Sequence, residues 1–237
     1  MRHIRLYTCG STNDEARDAL GRSEALPFLI STRKQTSGRG RNNRAWSQLA
    51  GNFAGTFALP VPEAILQVPG TLALLAGVAV RDALIAHNAD PASISLKWPN
   101  DVLLNERKVS GVLAEWITTG NCTVALVGIG VNLAAAPTGA RFPATSVFGA
   151  NAPDAQRFGE TLASQVERRL LEAESGADSV FNAWRAAAWR LGEPLTLTVG
   201  EERVSGIFRD IDAHGRLILR LAGGQERHLS AGDATSR

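Results

Sequence analysis

Residues 71–87 constrain the fold more than any other segment, because they have the length and composition of a helix that is apolar nearly all the way round. Such a helix must be covered on every side, so we expect it in the middle of a layered domain. Hydrophobic residues make up 44% of the 237-residue chain, which is enough for a sizeable core without disulfides.

Several shorter patterns surround this helix. Strands are predicted at residues 27–34, 52–59, 94–98, 102–104, 109–116 and 123–133. The polar residues 105–107 predict a hairpin, and Gly120-Asn121 predicts a turn. Thr12 followed by Glu15 has the spacing of a capping box, which predicts that a helix begins there.

The second half of the chain changes character after residue 191. Residues 134–151 have no clear period and predict a long loop of the kind that often forms a lid. Two amphipathic helices are predicted at residues 154–174 and 178–191. Short strands follow at residues 195–199, 204–210, 216–221 and 226–229, which predicts a small all-β barrel. We therefore expect a catalytic domain at residues 1–191 and a C-terminal barrel at residues 192–237.

The chain has the features of a cytoplasmic protein. Its first residues turn polar too early for a signal peptide, and its longest apolar run, residues 72–80, is far shorter than the roughly 20 residues of a membrane span. The two cysteines, Cys9 and Cys122, are far apart, and we interpret them as reduced thiols. The net charge of +2 implies no general attraction to polyanions.

The loop at residues 35–46 contains the run Gly-Arg-Gly-Arg and a third arginine, Arg44. Its glycines allow close approach of the backbone to a ligand, and its arginines offer forked donors that suit a phosphate or a carboxylate. A solvated basic surface loop and an RNA-binding arginine tract have the same composition. The loop has neither the Walker spacing nor the dinucleotide fingerprint.

Three further segments contain residue types suited to a ligand site. In Lys-Trp-Pro-Asn-Asp, Asp101 follows a proline corner, where it forms an ordinary turn or holds Mg²⁺ beside a phosphate. Lys108 begins a strand in which Gly111 marks a close approach. The Gly-Ile-Gly-Val-Asn segment leaves room for a flat group beside Asn132. Taken alone, each of these three segments is better explained by a structural role than by a functional one.

Lysine usage singles out the same regions. Among the 25 basic residues only Lys34, Lys97 and Lys108 are lysines. In a chain that otherwise uses arginine, a retained lysine indicates a need for a compact ammonium, although ordinary solvation also explains Lys34.

In combination these motifs resemble those of biotin protein ligases. The order Ser-Thr-Asn, Gln-Thr-x-Gly-Arg-Gly-Arg, Lys-Trp-Pro-Asn-Asp, Lys-x-x-Gly and Gly-x-Gly-x-Asn covers residues 4–133, and the C-terminal barrel is similar to the small SH3-like domain of that family. The resemblance implies an α+β fold of the class II synthetase-like type, with a central mixed β-sheet, packed helices and the small C-terminal SH3-like β-barrel. It also implies that biotin and ATP form biotinyl-5′-AMP with Mg²⁺, and that a carrier lysine then takes the biotinyl group.

The resemblance assigns roles to individual residues. The catalytic residues are Arg41 and Lys108, which would bind the carboxylate and the α-phosphate. The residues expected to bind biotin are Ser11, Thr12, Asn13, Gln35, Thr36, Gly38, Arg39, Gly40, Arg41, Asn42, Trp46, Lys108 and Gly111. Those expected to bind ATP are Arg39, Arg41, Arg44, Lys108 and Asn132, and Asp101 is the expected metal ligand. For Thr12 a plain helix cap is the structural alternative.

The match to the family has two departures. Asn43 stands where the family commonly has glycine, and asparagine tolerates the left-handed backbone region better than most residues. The chain also begins at the catalytic domain, so we expect an enzyme without the helix-turn-helix domain of some bacterial members, and no DNA binding. The expected acceptor is the biotin carboxyl carrier protein of acetyl-CoA carboxylase, and a homodimer through a sheet edge is possible in this family.

Two other functions fit part of the pattern. A lipoate protein ligase shares the fold and the acyl-adenylate chemistry, but it is not expected to have the Gly-Arg-Gly-Arg run. A nucleic-acid-binding module would use the arginines of the barrel together with aromatic stacking platforms. The only aromatic residue of the barrel is Phe208, which disfavours the second alternative.

Overall fold

The computed structural model describes residues 1–68, 70–119, 122–139 and 142–235. Its larger part is built on a seven-stranded mixed sheet with the order β1-β2-β3-β7-β6-β5-β4. The strands are β1 (Arg2–Cys9), β2 (Phe28–Gln35), β3 (Phe53–Pro60), β4 (Ile94–Lys97), β5 (Asp101–Leu104), β6 (Arg107–Thr119) and β7 (Cys122–Val131). Only β1 and β2 are parallel, and the other neighbours are antiparallel. The predicted α+β class with a central mixed sheet is confirmed.

The strand patterns of the sequence predict this sheet except for its edge. Strand β1 was not predicted, because its residues are mostly exposed or half-buried and its apolar alternation is limited to Ile4 and Leu6. The hairpin between β5 and β6 is confirmed: Asn105 and Glu106 form its turn with φ of 46° and 61°. The turn predicted at Gly120-Asn121 lies outside the described residues.

Helices cover both faces of the sheet, since alternate residues of a strand point to opposite faces. The helices are α1 (Thr12–Gly21), α2 (Glu63–Leu66), α3 (Thr71–Ala86), α4 (Ala155–Glu172) and α5 (Asp178–Arg185). The predicted central helix is confirmed as α3, which packs with α4 and α5 in the main core. On the other face α1 packs against Phe28 and Ile30 through Ala16 and Leu20.

Two helix predictions were wrong in detail. The predicted capping box does not form: Ser11 is the N-cap, it makes no side-chain capping bond, and Thr12 lies inside the helix. The last helix, predicted to reach residue 191, ends at Arg185. Beyond it the backbone pairs with the edge strand β4: Leu96 N–H donates to Ala187 O (2.7 Å), and Trp189 N–H donates to Leu96 O (2.9 Å). Tertiary pairing therefore replaces the last helical turn.

The C-terminal part is a five-stranded antiparallel sheet with the order β11-β10-β9-β8-β12. Its strands are β8 (Pro194–Val199), β9 (Glu202–Ile211), β10 (Leu217–Arg220), β11 (Glu226–Leu229) and β12 (Asp233–Thr235). Strand β12 has three residues and was not predicted. Strands β11 and β12 lie at the two edges of this sheet, so closure into an SH3-like barrel stays a prediction.

The two sheets share one core. Trp98 is buried and its indole N–H donates to Gly215 O at 3.0 Å, which joins the corner after β4 to the C-terminal sheet. Trp184 of α5 packs edge-on against Phe208 of β9, with ring centroids 6.3 Å apart. Because Phe208 is buried in this contact, it does not offer a stacking platform to bases. Within the described residues, none of the helices is long and apolar enough to cross a membrane.

Candidate active site

A cavity of about 490 Å³ opens on one face of the large sheet, under the Gly-Arg-Gly-Arg loop. Its walls come from the start of α1, from the loop after β2, from strands β5 to β7, from the loop after β7 and from β12. The lining residues include Ser11, Thr12, Asn13, Gln35, Arg39, Gly40, Arg41, Arg44, Trp46, Lys97, Asn100, Asp101, Lys108, Gly111, Gly128, Gly130, Asn132, Phe142 and Asp233. Most of the residues predicted from the sequence therefore meet here.

Glycines of β6 and β7 form the floor of the cavity. A Cβ at Gly130 would collide with the indole ring of Trp46, and a Cβ at Gly111 would lie 3.2 Å from the same ring. The flat group for which the glycines leave room is thus a side chain of the protein itself. Two residues before Gly130 on the same face of β7, the amide of Asn13 covers Gly128 in the same way.

A cationic cluster lies beside Trp46. Asp101 accepts from the ammonium of Lys108 at 2.5 Å, and its other oxygen lies 3.6 Å from Nζ of Lys97. Lys97 is buried, and its ammonium lies 4.4 Å from the ring centroid of Phe142. Burial lowers the pKa of the Lys97 ammonium, and the charge of Asp101 opposes that shift. Two ammonium groups share one carboxylate, so the cluster keeps an excess of positive charge.

The arginines of the loop are held by partners. Arg39 forms a two-pronged ion pair with Asp14, which lowers the pKa of that carboxyl and raises the pKa of the guanidinium. Arg44 forms a similar pair with Asp233 of β12, which raises the pKa of Arg44. Arg41 donates to the side-chain oxygen of Asn100 at 3.1 Å. Arg41 therefore points to the Pro-Asn-Asp corner, and its partner is a neutral group.

The loop closes on itself as a tight turn. Gly40 N–H donates to Arg44 O at 2.7 Å, and Trp46 N–H donates to Gly38 O at 2.8 Å. Asn42 and Asn43 both adopt the left-handed conformation, with φ of 55° and 54°. The substitution of asparagine for the common glycine at position 43 is thus compatible with the turn, as the sequence predicted.

Hydrogen-bonding side chains from α1 and β2 form the other end of the cavity. The backbone N–H of Thr12 donates to Oε1 of Gln35 at 2.9 Å, and its hydroxyl lies 3.2 Å from the same oxygen. Asn13 donates to Glu115 at 2.8 Å. This end combines neutral donors and acceptors, in contrast to the cationic cluster next to Trp46.

Three predicted ligand residues lie outside the cavity wall. Thr36 uses its hydroxyl and its backbone N–H to bond Cys9 O. The space beside Gly38 is occupied by the protein itself, because a Cβ there would collide with the side chain of Gln35 and the backbone of Trp46. Asn42 is exposed at the tip of the turn. Their observed contacts shape the loop, and contact with a ligand at these positions stays a prediction.

Sequence reasoning left out several residues that line the cavity. These residues are Lys97, Phe142 and Asp233, which come from three separated segments of the chain. Only Lys97 had a feature in the sequence that pointed to it, as one of three lysines in an arginine-rich chain. Asp101 lines the cavity, and its role as a metal ligand stays a prediction, since the described residues include no group of three or more His, Cys, Asp or Glu side chains suited to a metal. Asn132 is buried, and its amide donates to Thr145 O at 3.3 Å.

Comparison with known proteins gives a consistent assignment. Residues 11–132 match the model of the biotin/lipoate A/B protein ligase family, and residues 191–235 match the biotin protein ligase C-terminal domain. The biotin–[acetyl-CoA-carboxylase] ligase of Paracoccus denitrificans is 39% identical over 225 residues, which are 91% of this chain and 93% of the relative. The enzyme of the same name from Mycobacterium tuberculosis is 36% identical over 94% of this chain and 85% of its own length.

A solved structure shows the same architecture. The biotin protein ligase from Aquifex aeolicus in complex with biotin and ATP superposes with a TM-score of 0.82 and 25% identity. The match covers 99% of this chain and 97% of that chain, so it includes both sheets.

Proposed function

The chain belongs to the biotin/lipoate A/B protein ligase family, and from this premise we propose that it is an ATP-dependent biotin protein ligase. It activates biotin as biotinyl-5′-AMP and transfers the biotinyl group to a lysine of a carrier protein. The observation that carries the proposal is the layout of the cavity, in which neutral hydrogen-bonding groups and an ammonium cluster lie on either side of Trp46. A molecule with a neutral ring at one end and a carboxylate at the other matches this layout.

The adenylation step must bring two anions together, the carboxylate of biotin and the α-phosphate of ATP. Fixed cations offset this repulsion, and they act most strongly in a site that excludes water. Lys108 and Arg41 are the residues we assign to this role. Arg41 is positioned by the neutral oxygen of Asn100, so its charge remains available to a substrate, whereas Lys108 is positioned by Asp101 and would share its ammonium between that carboxylate and the substrate.

The other residues of the cavity are assigned to binding of biotin and ATP. We assign the ring of biotin to Ser11, Thr12, Asn13 and Gln35, which line the neutral end of the cavity. Trp46 and Gly111 enclose the acyl-adenylate against water. Arg39 and Arg44 contact the polyphosphate after exchange of their carboxylate partners, with Gly40 allowing close approach, and Asn132 contacts the adenine.

Asp101 is the residue we propose to hold Mg²⁺. Magnesium is commonly bound by one or two carboxylates together with substrate phosphates, so a single well-placed aspartate suits a metal that arrives with ATP. Mg²⁺ supplies neutralisation of phosphate charge when bound. Asp101 also pairs with Lys108 and lies 3.6 Å from Nζ of Lys97, so Mg²⁺ would share this carboxylate with the cationic cluster.

The proposed acceptor is the biotin carboxyl carrier protein of acetyl-CoA carboxylase, after the names of the relatives. The test is incubation of the protein with biotin, MgATP and a biotin carrier domain, followed by intact mass measurement. The expected result is addition of one biotinyl group per carrier, dependent on ATP. Incorporation of lipoate in a parallel reaction, with none of biotin, would contradict the proposal.

A further inference from the structure

A buried hydroxyl behind the cavity wall joins two of the residues assigned to biotin. Thr56 of β3 is fully buried (0% exposed), and its Oγ1 lies 2.6 Å from Oδ1 of Asn13 and 2.8 Å from Oγ1 of Thr12. Thr12 and Asn13 line the cavity, whereas Thr56 lies behind them. The three groups form a continuous hydrogen-bonded chain.

The far end of this chain is an anion. Nδ2 of Asn13 donates to Oε2 of Glu115 at 2.8 Å, and Arg17 reaches the same oxygen from the exposed side at 3.4 Å. A carboxylate can only accept hydrogen bonds. Glu115 therefore fixes the orientation of the Asn13 amide, with its NH₂ group toward Glu115 and its oxygen toward Thr56.

The orientation of the amide determines where each hydroxyl proton goes. The oxygen of Asn13 is an acceptor only, so Thr56 donates its single proton to it. In the 2.8 Å contact with Thr12, Thr56 must then accept, and Thr12 donates. The contact of Thr12 with Gln35 is longer, at 3.2 Å, and Oε1 of Gln35 already accepts from the backbone N–H of Thr12. The proton of the Thr12 hydroxyl is thus committed within the protein.

We propose that Thr56 and Glu115 are positioning residues that set the hydrogen-bonding polarity of the cavity. They leave Thr12 Oγ1 able only to accept from a ligand, while Gln35, whose oxygen is occupied, presents its NH₂ group as a donor. An acceptor beside a donor selects a neutral ring that carries an N–H next to a C=O, as a cyclic urea does. The inference rests on the proposed function. It explains how the site distinguishes an acyl chain that carries such a ring from one that has no ring of this kind.

The test compares Thr56→Val, which removes the hydroxyl at nearly constant shape, with Thr56→Ser, which keeps it. Isothermal titration with biotin should show a Kd raised roughly tenfold or more in Thr56→Val, because buried polar groups lose their partners, and a Kd close to wild type in Thr56→Ser. The KM for ATP should stay unchanged in both variants, which a general loss of structure would not produce. An unchanged biotin Kd in Thr56→Val would overturn the inference.

Glu115, which is half-buried, allows an independent test of the same inference. Glu115→Gln keeps an acceptor for Asn13, whereas Glu115→Leu removes it, so only the second should weaken biotin binding. Arg17→Ala is the matched control, because it removes only the longer, exposed contact and should leave the Kd unchanged. Equal affinity in Glu115→Leu and Glu115→Gln contradicts the positioning role. Failure of the wild-type protein to bind biotin would instead contradict the proposed function.

Discussion

Arg44 of the Gly-Arg-Gly-Arg loop and Asp233 of strand β12 form a two-pronged ion pair that joins the loop to the C-terminal sheet. The pair lies at the cavity wall, where the phosphates of ATP are proposed to bind. The carboxylate of Asp233 and a phosphate would compete for the same guanidinium. If the phosphates bind there as proposed, the C-terminal sheet controls part of the charge that the substrate meets.

The first prediction concerns this competition. Asp233→Asn should lower the KM for ATP a few-fold, because Arg44 no longer has to exchange a carboxylate for a phosphate. The unfolding free energy should change by less than about 1 kcal/mol, since both side chains are substantially exposed and screened. Steady-state kinetics and denaturant unfolding measure the two effects. Arg44→Ala is the companion variant and should raise the KM, whereas a raised KM in Asp233→Asn would show that the ion pair assists ATP binding.

The second prediction concerns the two proposed catalytic cations. Lys108→Ala and Arg41→Ala should each abolish biotin-dependent ATP–pyrophosphate exchange while the protein remains folded, because the repulsion between the carboxylate and the α-phosphate is no longer offset. Isotope exchange measures this step without a carrier protein. Lys34→Ala is the matched control, since Lys34 is exposed and does not line the cavity. Near-normal exchange in Lys108→Ala would remove Lys108 from the reaction.

The third prediction concerns the pH dependence of stability that Lys97 causes. Burial lowers the pKa of Lys97 in the folded protein below the ordinary value of 10.5. Between the lowered pKa and 10.5 the unfolded chain binds a proton that the folded protein does not, so the contribution of Lys97 to stability rises with pH. Lys97→Met should be more stable than wild type below this window, because it removes the cost of a buried charge.

Denaturant unfolding of both proteins at a series of pH values up to 10.5 measures the difference. The stability advantage of Lys97→Met should shrink as pH rises, and activity should fall at every pH if the ammonium serves the substrate. A constant difference in stability across this range would mean that the charge of Lys97 is fully compensated in the folded protein.

The fourth prediction concerns the glycine floor. Gly130→Ala places a methyl group where the indole ring of Trp46 lies, so the ring must move away from β7. We expect the Kd for biotin to rise roughly tenfold or more, because the displaced ring no longer packs on β7 and leaves the site exposed to water. The fluorescence of the tryptophan should shift as well. Gly223→Ala is the matched control, because a Cβ there meets no atom within 4 Å. Equal affinity in the two variants would place biotin away from Trp46.

The sequence alone determined most of the elements of the large sheet. Apolar runs and turn residues predicted six of its seven strands and the helix α3, because these segments are buried on both sides or have a clear period. Strand β1 was missed because most of its residues are exposed or half-buried, whereas the strand at the other edge, β4, is mostly buried. The end of α5 was misplaced because β4 offers backbone partners to residues that are helical by pattern.

The motifs of the sequence also determined the residue types of the site, but not their partners. That Arg39 pairs with Asp14, Arg44 with Asp233 and Lys108 with Asp101 depends on segments up to 189 positions apart in the chain. Thr12 shows the difference most clearly. Its spacing to Glu15 indicated a local helix cap, yet its hydroxyl contacts Gln35 and Thr56 from two neighbouring strands.

The chemistry available in this protein was thus set by the sequence: which groups can donate, accept or carry charge, and which segments must be buried. The tertiary structure decided which of those groups meet, and therefore which charges are neutralised and which hydroxyls can only accept. The physical reason is that hydrogen bonds and ion pairs act over a few ångströms, whereas local sequence patterns report only neighbours along the chain.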